Sequence, residues 1–204
     1  MQSSAKIIDR DPTMTKILIG SDATKTEKIL SWIGSILGVV FYLYFYLNNS
    51  FNWSNWQYLI AIFIAIDVVG GAIANSLNSC KQFYQSLPKS SEPIYLRSLK
   101  NKLLFSAIHI HPLIVGLLFG NNDWLYGLFW YFALQIAVLI TIKTPLYLSR
   151  PIAILTVVLA IFINSYPIEA IPGFEWFVPL LFIKIVLGHS VIEKAYRPME
   201  ESRL

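Results

Sequence analysis

The sequence predicts an all-α, polytopic integral membrane protein, built as a bundle of six transmembrane helices. Only 14% of its 204 residues are charged and 55% are hydrophobic, whereas about 25% of residues in a soluble domain carry charge. Six apolar runs approach or reach the roughly 20 helical residues needed to cross a bilayer. Outside these runs, lysine and arginine are confined to one side. These features exclude a soluble domain, a disordered chain and a disulfide scaffold, which one cysteine cannot form.

The six predicted spans are joined by short connections, except between the second and the third. Their approximate ranges are 30–47, 57–77, 103–120, 124–142, 151–166 and 173–193. The fifth run is the shortest, at about 24 Å by helical rise, so its helix is expected to stand near the membrane normal or to extend into the interface. Residues 1–29 and 194–204 are expected to be tails, and 78–102 a basic loop.

Basic residues orient the predicted bundle. They occur in the N-terminal tail, in the 78–102 loop, between the fourth and fifth spans, and after the sixth. The opposite loops, 48–56, 121–123 and 167–172, contain no lysine or arginine. The positive-inside rule therefore places both termini in the cytoplasm. The sequence favours the plasma membrane as the location, with an organelle membrane as the alternative.

The net charge of +4 follows from this topology and does not indicate a nucleic-acid partner, because the basic residues are dispersed over four segments. The expected partner is the lipid bilayer, with an anionic lipid or an apolar substrate as a candidate ligand. From Pro93 the basic loop predicts an interfacial amphipathic helix in which Arg97 and Lys100 could hold an anionic headgroup. Nothing in the sequence indicates the oligomeric state.

Two charged residues lie deep within predicted spans, where a charge costs at least about 2.5 kcal/mol on insertion scales. Asp67 and Lys184 are about 15 and 16 Å from the outer ends of spans two and six. Their equal depth predicts either an ion pair that docks the two spans or a functional site. In the second case Asp67 handles a proton or a cation, or the two residues bind a charged group of a substrate. Lys184 could also extend toward an interface.

The second span carries a face of small and polar residues. At 100° per residue one stripe and its flanks contain Asp67, Gly70, Gly71, Ala74, Asn75 and Asn78. Close helix packing explains the glycines. It explains neither the carboxylate nor the amides, so this face is a candidate binding surface.

The third span supplies Ser106, His109 and His111, followed by Pro112. On a straight helix the two histidines are about 200° apart, so His111 is expected to point away from the site, although Pro112 can kink the helix. His109 and His189, at similar depths, are candidate acid–base groups. Three histidines without an HExxH, CxxC or histidine-box motif argue against a metal site, and the cofactor stays unidentified.

Three functions fit these residues. The sequence favours a membrane-embedded enzyme or lipid-handling protein with a polar cavity open to the cytoplasm, because its polar groups concentrate in the cytoplasmic half. The alternatives are a small proton-coupled transporter that uses Asp67, and a structural or assembly partner in a membrane complex. The candidate catalytic residues are Asp67, His109 and His189, and the candidate binding residues are Asn75, Asn78, Ser106, Lys184, Arg97 and Lys100.

Overall fold

The computed structural model describes residues 13–90 and 92–194. The described residues contain no strand and are 73% helical, which confirms the predicted all-α class. Residues 1–12 and 195–204 of the two predicted tails lie outside the described residues. The helices are α1 Thr13–Ile19, α2 Lys25–Leu47, α3 Asn55–Ala74, α4 Asn78–Tyr84, α5 Ile94–Leu99, α6 Lys102–Phe119, α7 Trp124–Lys143, α8 Leu146–Ser165 and α9 Phe177–Ser190.

Five of these helices are long and apolar enough to cross a membrane, namely α2, α3, α6, α7 and α8. The sixth predicted span corresponds to α9, which is apolar but shorter, with six α-helical residues followed by eight π-helical ones. The fifth predicted span is longer than expected. It begins at Leu146 and continues through Pro151, which lies past the first turn and costs the helix the hydrogen bond to the carbonyl of Tyr147.

The short helix α9 lies at the centre of the bundle. It packs against α3, α6, α7 and α8, and its fully buried residues are Phe177, Val178, Leu181, Ile185 and Val186. A helix that is apolar all round is covered by other helices. An apolar stretch of this length is typical of a core helix, so α9 forms the core around which the longer helices are arranged.

Helix α2 packs on α3 at two glycines of α2. A Cβ atom at Gly34 would lie 3.3 Å from the Cα of Gly70, and one at Gly38 would lie 2.9 Å from the Cβ of Ala65. Their four-residue spacing is the small-residue pattern that lets two membrane helices approach closely. The contact uses one face of α2, and most of the remaining apolar residues of α2 are exposed.

Helix α1 is a helix that the sequence pattern did not predict. It ends at Gly20, whose φ of +87° suits a residue without a Cβ. Ser79 Oγ donates a hydrogen bond to the carbonyl of Ile19 (2.5 Å), and the Tyr84 hydroxyl donates to that of Ile17 (2.6 Å). These two bonds dock α1 on α4.

Aromatic rings fill the end of the bundle at which α2 ends and α3 begins. The Tyr42 hydroxyl donates to the carbonyl of Gly173 at 2.9 Å, and its ring contacts Trp53 and Phe174. Trp53 also contacts Phe119 at 4.7 Å between centroids. We call this set the aromatic cluster; its further members are Phe41, Phe45, Phe51, Tyr58, Trp176 and Phe177. It closes the predicted outer end of the protein.

At the opposite end Lys81 of α4 holds the last turn of α9. Its Nζ donates to the carbonyls of Gly188 (2.5 Å) and Val191 (3.1 Å) and lies 3.4 Å from Glu193 Oε2. Burial lowers the pKa of Lys81, although the charge of Glu193 acts in the opposite direction. A cation here satisfies free carbonyls and suits the negative end of the helix dipole.

Replacing this lysine should therefore destabilise the fold. For Lys81→Met we expect a loss of about 2–3 kcal/mol in the free energy of unfolding, because buried carbonyls lose their donor. In detergent this corresponds to a Tm lower by roughly 4–12 °C, measured by tryptophan fluorescence. Lys89→Met, which removes an exposed lysine of the same loop, is the control. Equal Tm values for the two variants would contradict a structural role of Lys81.

Candidate functional site

Asp67 and Lys184 both lie in π-helical segments. Helix α3 is π-helical over Ile66–Gly70, and α9 is π-helical over Ile183–Ser190. The i→i+5 bonds of a π-helix widen the turn and redirect side chains, and such segments are frequent at functional sites. Here they occur on the two helices that carry the charges of the predicted site.

The two charges form an ion pair. Lys184 Nζ lies 2.5 Å from Asp67 Oδ2. A Cβ at Gly71 would lie 2.5 Å from Lys184 Cε, so this glycine leaves room for the lysine. Asn75 Nδ2 donates to the Lys184 carbonyl at 3.1 Å. The small and polar face of the second span thus holds Lys184 through both its side chain and its backbone.

The two partners differ in accessibility. The Lys184 side chain is 3% exposed, whereas the Asp67 side chain is 47% exposed. The lysine is therefore enclosed by protein, and the carboxylate faces open space. Since both Lys184 and His111 contact Oδ2, Oδ1 is the oxygen that stays available; it accepts no hydrogen bond from residues 13–90 or 92–194.

Helix α6 is interrupted between Ala107 and His111. Pro112 follows directly; it has no N–H to bond the carbonyl of Ile108, and its ring clashes with that carbonyl, which interrupts the helix in the preceding turn. His109 Nδ1 lies 2.6 Å from the carbonyl of Phe105, and the rings of His109 and His111 are 5.6 Å apart between centroids. The expectation that the two histidines point in opposite directions is wrong, because the helix is not straight here.

His111 is a site residue that the sequence interpretation left out. Its Nε2 lies 3.4 Å from Asp67 Oδ2, so the imidazole and Lys184 approach the same oxygen. The signal that could have placed it was the adjacent Pro112, which permits the break in α6. Lys184, Asp67, His111 and His109 consequently form one continuous group of neighbouring polar side chains.

A cavity of about 430 Å³ borders this group, within the range of about 300–1,000 Å³ typical of ligand sites. Its polar lining includes Asp67, Asn75, His109 and Lys184. Most of the remaining wall is apolar; it includes Leu18, Trp32, Phe63, Ile66, Leu99, Phe105 and Ile108. Apolar walls with a few convergent polar groups are characteristic of a small-molecule site.

The cavity lies between α2 and α6, and part of its lining on this side is exposed; we call this part its opening. Helix α2 packs on α3, and α6 packs mainly on α7, so the Asp67 face of α3 lies between them. Trp32, Phe63 and Ile108 line this opening and are exposed. Residues of α1, including Ile17, line the cavity near α4. These exposed apolar residues border one side of the cavity, and the cytoplasmic access expected from the sequence stays a prediction.

His189 lies apart from the Asp67 group. Its ring stacks on Phe105 at 3.7 Å between centroids and meets Tyr84 edge-on at 4.8 Å. Phe105 also contacts the ring of His109, at 4.8 Å. Both nitrogens of His189 are buried without a hydrogen-bond partner in the described chain. The structure thus places the predicted catalytic His189 behind Phe105 and outside the cavity lining.

Four further predicted binding residues also lie outside the cavity lining. Ser106 Oγ is 2.7 Å from Gln135 Oε1, and Gln135 Nε2 donates to the Ser106 carbonyl, which joins α6 to α7. Lys100 pairs with Glu92 at 2.7 Å. Asn78 and Arg97 are exposed at the start of α4 and on α5. Of the nine predicted site residues, the cavity gathers Asp67, Asn75, His109 and Lys184.

The cavity residues can exchange protons and hydrogen bonds with a bound group. A carbonyl only accepts, so in the neutral ring the proton of His109 is on Nδ1 and Nε2 carries a lone pair. Asp67 Oδ1 is a second acceptor, and Lys184 compensates the charge of this carboxylate. Within residues 13–90 and 92–194, no three His, Cys, Asp or Glu side chains converge as metal ligands.

Comparisons with protein-family models, curated proteins and solved structures find no match to this chain.

The unequal burial of the ion pair leads to unequal effects of mutation. Asp67→Asn leaves Lys184 charged and enclosed, and we expect it to cost about 3–5 kcal/mol of unfolding free energy. Lys184→Met leaves a carboxylate that is half accessible and near His111, so a smaller loss is expected. Adding Lys184→Met to Asp67→Asn should restore much of the stability. Thermal unfolding of the three purified variants measures these differences.

Wild-type stability in Asp67→Asn, or a double variant that is no more stable than Asp67→Asn, would show that the pair is not a buried electrostatic contact. The exposed carboxylate of Glu169 provides the matched control, since Glu169→Gln should leave the Tm unchanged.

Proposed function

We propose that this protein is a membrane-embedded enzyme or lipid-handling protein that takes an amphiphile from the bilayer into its lateral cavity and acts on the polar group of that molecule. The observation that carries the proposal is that one cavity is lined by both polar and apolar side chains. Asp67 and His109 line it as acceptors, while exposed apolar residues line its opening. An apolar substrate with a polar end matches both walls, and its entry path runs through lipid.

The proposal includes a topology of six spans with both termini in the cytoplasm and a plasma-membrane location. Helix α9 would cross the membrane inside the bundle, where the longer helices cover it. The ion pair between α3 and α9 supports this arrangement, because it joins the middle of α3 to the middle of the sixth predicted span. The distribution of lysine and arginine supports the orientation.

Asp67 and His109 are the residues that we propose to act on the substrate. The carboxylate can accept a proton through Oδ1, and the buried ammonium of Lys184 would balance its charge whenever the proton is absent. His109 Nε2 carries a lone pair and can accept a hydrogen bond or a proton from the bound group. His189 would act from a distance, by fixing Phe105 between the two histidines, and is a positioning residue in this proposal.

The aromatic cluster favours this function over transport. A transporter needs a path on both sides of its site, and here Tyr42, Trp53 and Phe174 fill the predicted outer end with packed rings. A purely structural role would require neither the cavity nor an accessible carboxylate. The transporter and assembly alternatives therefore become outcomes that the experiments below can detect.

The cavity should hold an amphiphile when the protein is purified. We expect extraction and mass spectrometry of protein in mild detergent to find one amphiphile at close to one molecule per chain. Ile108→Trp places a large ring at the opening and should reduce this amount about tenfold or more. Ile110→Trp is the matched control, because Ile110 is also exposed and apolar but does not line the cavity.

Equal amounts of amphiphile in wild type, Ile108→Trp and Ile110→Trp would overturn the proposal. Chemical conversion of the bound molecule, lost in His109→Ala at unchanged Tm, would identify the enzyme form of the function. Solute or proton flux in proteoliposomes that disappears in Asp67→Asn would instead establish the transporter alternative.

The topology can be tested by cysteine labelling. The single native cysteine, Cys80, is buried and burial raises the pKa of its thiol to about 12, so it should not react with maleimide. In intact cells an impermeant maleimide should label Glu169→Cys. It should label Lys89→Cys and Lys194→Cys only after permeabilisation, because these exposed positions lie on the basic side.

Labelling of Lys194→Cys in intact cells together with Glu169→Cys would show that α9 does not cross the membrane. The reverse pattern at Lys89 and Glu169 would contradict the proposed orientation.

A further inference from the structure

We infer that the ligand of the cavity is a single-chain amphiphile with a neutral, hydrogen-bond-donating head, of the class of long-chain alcohols. Its hydroxyl would donate to Asp67 Oδ1, and its chain would lie in the lateral opening between α2 and α6. This inference rests on the proposed function and specifies the substrate class of that same site.

Two acceptors beside the ion pair favour a head that donates a hydrogen bond. Asp67 Oδ2 contacts Lys184 at 2.5 Å and His111 at 3.4 Å, so Oδ1 is the acceptor of the carboxylate that no residue of 13–90 or 92–194 occupies. His109 Nδ1 is bound to the Phe105 carbonyl, which leaves the Nε2 lone pair as a second acceptor. Asn75 Nδ2 donates one of its two N–H groups to the Lys184 carbonyl. The second N–H and the Ser31 hydroxyl, which also lines the cavity, can donate to the oxygen of a hydroxyl head.

The charges of the site disfavour an ionic head. Lys184 is the cation of the cavity lining, but it is 3% exposed and its Nζ is held by Asp67. A phosphate or carboxylate head would therefore meet the accessible carboxylate first and be repelled. An ammonium head would add a second cation to a pair that is already neutral, and would pay its own desolvation at membrane depth. A neutral hydroxyl avoids both costs and satisfies Oδ1.

The shape of the opening fits one chain. The cavity volume of about 430 Å³ is at the lower end of the range for ligand sites. Its opening is lined by Trp32 on one side and by Ile108 on the other, with Phe63 between them on α3. All three side chains are exposed and apolar, so a chain that continues from the cavity into the bilayer stays in apolar surroundings throughout.

Trp32 provides a direct readout of this binding mode. The experiment uses the full-length protein in nanodiscs and four probes with the same brominated saturated chain and different heads: primary alcohol, primary amine, carboxylic acid and phosphate monoester. Bromine quenches a tryptophan that it contacts. The difference in quenching between wild type and Trp32→Phe gives the signal of Trp32 alone. It removes the quenching of the other five tryptophans, including the quenching by probe that is only dissolved in the lipid.

We expect saturable, Trp32-dependent quenching by the alcohol, with an apparent Kd at least about tenfold below those of the other three probes. Asp67→Leu combined with Lys184→Met removes the acceptor without leaving a buried charge, and should abolish the preference for the alcohol. Ile108→Trp should abolish the Trp32-dependent part of the quenching by every probe, measured against Ile108→Trp/Trp32→Phe, whereas Ile110→Trp should not.

The outcomes separate the two proposals. Three results would overturn the hydroxyl inference and leave the amphiphile cavity in place. They are tighter binding of the amine, the acid or the phosphate, equal binding of all four heads, and an alcohol preference that survives Asp67→Leu/Lys184→Met. Absence of saturable Trp32-dependent quenching by any probe would overturn the proposed function as well.

Discussion

The buried ion pair between Asp67 and Lys184 is the interaction on which the rest of the structure depends. Without Asp67 the enclosed ammonium of Lys184 would be a costly unpaired charge, so α3 and α9 meet where the two side chains meet. Because Lys184 is enclosed and Asp67 is half exposed, the pair fixes the core helix and also leaves one carboxylate oxygen facing a cavity. A contact that stabilises the bundle thus creates the polar group of its candidate site.

The surrounding elements keep this arrangement in place. Gly71 makes room for the lysine, and Asn75 binds its backbone. Lys81 secures the far end of α9 by its last carbonyls. The aromatic cluster fills the predicted outer end, and the cavity lies beside the ion pair with exposed apolar residues in its lining. This distribution is the basis of our proposal that the site takes a membrane-dissolved molecule.

Much of this could be predicted from the sequence, because hydropathy and charge are properties of single residues. The helical class and the equal depth of Asp67 and Lys184 required only run lengths and helical rise. The position of His111 could not be predicted in this way, since it depends on the break in α6 before Pro112. Nor could the π-helical segments around both charges, because a period of 3.6 assumes a regular helix. The binding roles expected for Arg97 and Lys100 came from charge alone, which does not reveal that Lys100 is paired with Glu92.

The most direct test is an experimental structure of the protein in a lipid nanodisc, at a resolution that shows side chains and ordered lipid. The account predicts elongated density that enters between Trp32 and Ile108 and ends within hydrogen-bonding distance of Asp67 Oδ1, with Lys184 still bound to Oδ2. A structure in which α2 packs directly on α6 and the space beside Asp67 is closed would contradict it.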